Sequence, residues 1–139
     1  MTFRAAGLAL TLLALVASAP RAQNATPDPV SFQSQVFPVF EAGKCAGCHS
    51  PSGVASATRL HFPEKNATPA QIQAFGLSLS ALVDRADASR SLLLTKPTNV
   101  TRHTGGVRIK PGSPEERVLA QWVSSLAAAS DATLAAAIK

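Results

Sequence analysis

Cys45-Ala46-Gly47-Cys48-His49 is the stretch from which the rest of this chain is read. It is a C-x-x-C-H run, the attachment signature of c-type haem. Two thiols at this spacing reach two vinyl groups of one porphyrin, and the imidazole that follows reaches the iron from one side. Cys45 and Cys48 are the only cysteines. In an exported chain a cysteine pair can also be a disulfide or a reactive dithiol. His49, directly after the second cysteine, favours haem over both. Zinc would want four ligands, and only His61 and His103 remain as nitrogen donors, at no zinc spacing. The expected cofactor is one haem c per chain, covalently held by Cys45 and Cys48, with His49 as proximal iron ligand.

The N-terminus agrees with that chemistry, because haem of this kind is attached outside the cytoplasm. Residues 1–23 read as a secretory signal peptide. Arg4 is the positive end, and residues 5–17 form an apolar run of Ala, Leu and Val. That run is within the ~7–15 residues of a signal core and short of the ~20 that span a bilayer. Ala17-Ser18-Ala19 and Ala22 are alternative cleavage ends, with Pro20 awkward for each. An uncleaved anchor is the other reading of the same segment. Both place the domain in a bacterial periplasm or on the outer face of the membrane.

Of the 139 residues, 13 are Lys or Arg and 8 are Asp or Glu, a net charge of +5. Arg4 and Arg21 leave with the leader, so the exported chain is nearer +3. A mildly basic surface suits redox partner proteins with an acidic docking face. Nucleic acid is not implied: the basic residues are scattered and there is no Tyr.

The remaining pattern is helical. Residues 24–29 are a polar linker. Residues 30–42 carry Phe32, Val36, Val39 and Phe40 at helical spacing. Asp28 or Ser31 is the candidate cap, Pro38 predicts a kink or a late start, and Gly43 ends the helix. Residues 50–58 are a loop, and Arg59-Leu60-His61-Phe62 reads as a short extended piece. Thr68-Pro69 starts a helix through Ile72 and Phe75, followed by a short stripe of Leu79, Leu82 and Val83. A turn at residues 87–91 leads into Leu92-Leu93-Leu94, expected to be buried. Residues 96–112, with Pro97, Gly105, Gly106, Pro111 and Gly112, are a long loop. Ser113-Pro114-Glu115-Glu116 is a capping box, and Val118, Leu119, Trp122, Val123 and Leu126 form the apolar stripe of the last strong helix. The boundaries are a domain over residues 30–128 and an Ala-rich tail over residues 129–139, as a separate helix or fraying.

This all-α order of helix, haem motif, short helices, long loop and terminal amphipathic helix resembles the class I cytochrome c fold over about residues 30–126. The resemblance implies that the first and last helices pack together, with the haem in the apolar slot beneath them. A domain of this size with few aromatics would gain much of its core from the porphyrin.

The ligand opposite His49 is the open question. Most cytochromes c use a Met sulfur there, which raises the reduction potential. The only methionine here is Met1, in the leader. His103, His61 or no protein group remain. His103 lies in Thr101-Arg102-His103-Thr104-Gly105-Gly106, where glycines let backbone approach a flat ring. Residues 91–97, 103–106 and 111–114 with Trp122 also resemble bacterial cytochrome c modules that carry a His-x-Gly-Gly loop in place of a Met loop. That resemblance implies His103 as the sixth ligand. His61, beside Leu60 and Phe62, is the alternative, or else a pocket or propionate residue. Arg59, Arg102, Arg108 and Lys110 are candidate propionate partners or a solvated rim. Trp122 reads as a core anchor, and Phe37 and Phe40 as neighbours of the haem.

The expected function is a single-electron carrier, not an enzyme, with two histidines on the iron and a lower potential than a His/Met site. The alternatives are a five-coordinate haem protein that binds small ligands or reduces peroxide, with His61 and Arg59 as its positioned base and charged stabiliser, and a haem subunit of a membrane redox complex.

Overall fold

A computed structural model describes residues 32–137. The leader (1–23), the linker (24–29) and the candidate caps Asp28 and Ser31 lie outside the described residues. Every regular element among the described residues is helical, in keeping with an all-α chain. The piece expected to be extended at residues 59–62 forms no strand. It is tied instead to the cysteine motif, through the Phe62 N–H donating to the His49 carbonyl at 2.9 Å.

The first helical segment is split where the sequence places Pro38. Residues Phe32–Val36 wind as a wide π-type turn, and helix α1 runs Phe37–Ala42 with the proline in its first turn. Proline cannot donate to the carbonyl four residues back, so a continuous α ladder cannot pass through this position. Gly43 closes α1 by donating to the Val39 carbonyl at 3.0 Å. Helix α2 (Pro69–Ser78) opens with a reciprocal box: Thr68 Oγ1 accepts from the Gln71 N–H, and Gln71 Oε1 accepts from the Thr68 N–H. A tighter turn, Leu79–Leu82, prolongs it. Asp87 caps a further short turn, Ala88–Arg90, by accepting from the Ser89 N–H. Helix α3 (Leu92–Thr95) buries Leu93 and Leu94 and leaves Leu92 43% exposed, so the leucine run is not buried throughout.

Helix α4 (Pro114–Ala128) is the longest element. Ser113 Oγ accepts from the Glu116 N–H at 3.2 Å. The Glu116 carboxylate does not return to Ser113 but accepts from the Gly112 N–H, one residue further back. Gly112 has φ +77°, which brings its amide into reach. The buried face of α4 is Leu119, Trp122, Val123 and Leu126.

One aromatic cluster joins these elements. The Phe32 ring lies 4.7 Å from Trp122 and 6.1 Å from both Phe37 and Phe75. Phe62 lies 4.8 Å from Phe75 and 5.5 Å from Phe40. Helix α2 approaches this cluster closely enough that a Cβ on Gly76 would sit 2.6 Å from the Phe32 ring. The segment after α4, expected as a tail, packs onto the core. Ala129 and Leu134 are buried, helix α5 spans Asp131–Ala137, and Arg85 pairs with Asp131 across exposed surface.

Candidate functional site

The cysteine motif forms a compact turn directly after α1. Lys44 turns the chain with φ +53°, and Cys45–Gly47 is one tight helical turn. The N–H groups of Cys48 and His49 both donate to the Cys45 carbonyl, at 3.2 and 3.0 Å. Cys45, Cys48 and His49 are thereby held on one turn. Both cysteines are half-buried free thiols, not a disulfide. Burial pushes the Cys45 thiol up to about 11, against the opposing pull of the Arg108 guanidinium. That is not the depressed value of a redox-active dithiol. The space beside Cys45 depends on Gly43, where a Cβ would lie 3.2 Å from Sγ.

The proton positions of His49 follow from its neighbours. Its Nδ1 lies 3.1 Å from Thr58 Oγ1. The Thr58 hydroxyl hydrogen goes to the Ala55 carbonyl at 2.7 Å, so the hydroxyl oxygen accepts from His49 Nδ1–H. Nε2 then keeps its lone pair. Burial holds His49 below the usual histidine range, as do the neighbouring imidazoles of His103 and His61; the Leu60 carbonyl works the other way. The ring is thus a neutral imidazole whose Nε2 can ligate a metal.

His103 is presented in the same way by a separate loop. Its Nδ1 lies 2.9 Å from the Gly106 carbonyl, which can only accept. His103 therefore carries its proton on Nδ1 and its free lone pair on Nε2. Gly106 makes this possible with φ +70°, returning its own N–H to the His103 carbonyl at 2.8 Å. Gly105 leaves room for the ring: a Cβ there would lie 2.9 Å from His103 Cε1 and 3.3 Å from Nε2.

The two imidazole rings are neighbours. Their centroids are 6.2 Å apart and their planes lie within 15° of parallel. Two imidazoles bonded trans to one metal ion, each at the ~2.0–2.1 Å usual for a histidine nitrogen, would have centroids about 6.4 Å apart. Among the described residues, no three His, Cys, Asp or Glu side chains converge on one point. A metal held by this pair therefore needs its remaining positions filled by a non-protein ligand. An iron tetrapyrrole would meet that need, and His49 and His103 are the residues that would hold its iron. Half-buried Cys45 and Cys48, on the same turn as His49, complete the fit.

His61 is placed differently. Its Nε2 donates to the Ser56 carbonyl at 2.7 Å and its ring is exposed. Arg59, Arg102, Arg108 and Lys110 are exposed. Arg108 is the one among them that lies beside both the Cys45 thiol and Gly105. Trp122 is a buried anchor of α4, and its indole N–H finds no acceptor among the described residues.

Three participants were not visible in the sequence: the Thr58 hydroxyl, the Gly106 carbonyl and Asn99, whose Oδ1 accepts from the His103 N–H at 2.8 Å. Asn99 is also one of two non-glycine residues with positive φ among the described residues, at +62°. The order Asn-x-x-x-His-x-x-Gly is a weak signal by itself. Compared with family models, curated proteins and solved structures, the chain matches none.

Proposed function

We propose that this chain is an exported monohaem c-type cytochrome that carries single electrons, with His49 and His103 as the two axial iron ligands. The observation that carries the reading is the near-parallel imidazole pair, with centroids 6.2 Å apart, of which His49 sits on the turn that also holds Cys45 and Cys48. The bound haem would supply the Fe(III)/Fe(II) couple.

The protein's part is to hold both ligands in one geometry for both oxidation states. His49 is oriented by Thr58, and His103 by Gly106. Acceptors on the far nitrogens raise ligand basicity and fix ring orientation. Two imidazoles favour a lower potential than a His/Met pair. The His103 ring, its centroid 6.2 Å from that of His49, speaks for a saturated iron, and so for electron transfer over peroxide chemistry. His61, proposed by sequence as an acid–base group, is committed to Ser56.

Lys96, Arg102, Arg108 and Lys110 lie on and beside the His103 loop, and no Asp or Glu occurs between Asp87 and Glu115. This supports docking of an acidic redox partner on the distal side. Among the described residues no helix is long and apolar enough to cross a membrane.

The test is the oxidised spectrum of the purified protein and its variants. Wild type is expected to show covalent haem, low-spin iron and no Met–iron charge-transfer band. His103→Ala is expected to turn high-spin, and His61→Ala to leave the spectrum unchanged. A low-spin His103→Ala protein with unaltered potential would remove His103 from the iron.

A further inference from the structure

The loop that carries His103 is closed on itself. At its base the Pro97 carbonyl accepts from both Arg108 N–H and Ile109 N–H, at 2.8 and 3.1 Å. Ile109 is buried and pins that end to the core. On the leading side the Thr101 N–H donates to the Thr95 carbonyl at 2.9 Å, and Lys96 Nζ donates to the Arg102 carbonyl at 2.8 Å. His103 is then joined to the rear of the loop by its two bonds with Gly106.

One side chain joins His103 to the front of the loop. Asn99 Oδ1 accepts from the His103 N–H at 2.8 Å, while the Asn99 N–H donates to the Lys96 carbonyl at 3.0 Å. The donor is a backbone N–H, so the amide oxygen is fixed as the acceptor. Asn99 reaches this position only in the left-handed conformation, φ +62°. That region is costly for most L-residues and tolerated best by Gly, Asn and Asp. A strained non-glycine residue kept in place by a hydrogen bond to a candidate ligand is a reason to look for function there.

We propose that Asn99 is the positioning residue of the distal ligand. It holds the His103 backbone so that the imidazole stays on the iron, and it sets how readily an external ligand displaces that imidazole. The proposal rests on the reading of His103 as an axial ligand. It assigns to Asn99 a control over ligand exchange that a loop residue of purely structural value would not have.

Carbon monoxide binding to the reduced full-length holoprotein tests it. At saturating carbon monoxide the rate is limited by His103 leaving the iron, and the probe is neutral, so a charge change at position 99 does not alter its encounter. Asn99→Gly keeps the backbone conformation and removes the acceptor. Asn99→Ala removes the acceptor and adds the conformational cost. Asn99→Asp keeps both features. The expected order of limiting rates is Asn99→Asp equal to wild type, Asn99→Gly roughly three- to tenfold faster for one lost hydrogen bond, and Asn99→Ala faster again. A higher high-spin fraction in the oxidised Gly and Ala variants should accompany this.

If Asn99→Ala does not yield holoprotein, the Gly–Asp comparison decides alone. Rates equal to wild type in Asn99→Gly, or an Asp variant as fast as the Gly variant, overturn the proposal. A His103→Ala protein that binds carbon monoxide no faster than wild type overturns the underlying ligand assignment instead, and so separates the two failures.

Discussion

At the scale of single residues, the site depends on two protons being on the correct nitrogens. Thr58 and Gly106 each accept from a histidine Nδ1, and each thereby leaves Nε2 free. Gly105 is the residue whose change acts most directly on this arrangement. Its missing Cβ would fall 2.9 Å from the His103 ring, and the ring edge concerned includes Nε2. Gly105→Ala is therefore expected to give a mixed high- and low-spin oxidised spectrum while haem attachment persists; an unchanged spectrum would show that the ring tolerates the methyl. His103 stood out in the sequence because the only methionine is Met1 and because Gly105-Gly106 lie just beyond the histidine. Thr58 and Asn99 were not. A hydroxyl or amide in a polar loop has many ordinary uses, and only the folded chain shows which backbone or ring nitrogen it meets.

At the scale of elements, capping chemistry carried most of the information. Thr68-Pro69 and Ser113-Pro114 start helices where their side chains and fixed φ require. Thr68→Ala is expected to cost about 1 kcal/mol in denaturant unfolding, the usual value of such a cap. Pro38 marked a defect correctly, but its form, a wide turn before α1, depends on how Phe32 seats against α2 and α4. That seat gives a sharper test. Gly76→Ala places a methyl 2.6 Å from the Phe32 ring, and overpacking of this kind costs roughly 1–3 kcal/mol. Trp122 gives the complementary case. Its indole N–H has no acceptor among the described residues, so Trp122→Phe loses no such bond there. It should cost well under the ~3–5 kcal/mol of Trp122→Ala. A separate helix was one of the two readings of the Ala-rich tail, and α5 is that helix, but its docking onto the core was not legible. An Ala-rich segment has no apolar stripe, and its docking rests on two positions, Ala129 and Leu134, together with the Arg85–Asp131 pair.

At the scale of the molecule, the aromatic core and the site are one structure. Phe62 packs on Phe40 and Phe75 and also bonds the His49 carbonyl, so His49 is carried by the core. His103 is carried by a loop whose charged residues are all basic. Electron transfer to an acidic partner should therefore slow as ionic strength rises past the ~10 Å screening length at 0.1 M; a salt-independent rate would contradict docking on that face. The expectation of compartment and cofactor rests on five residues and a leader-like N-terminus, while the relation of the two histidines required the fold. Electron paramagnetic resonance of the oxidised full-length holoprotein tests that relation most directly. Near-parallel imidazoles on one iron lift the degeneracy of its d orbitals, so the 15° angle between the rings calls for a low-spin rhombic signal. A high-spin signal, or a protein that takes up no haem under conditions that load c-type cytochromes, would contradict ligation by His49 and His103.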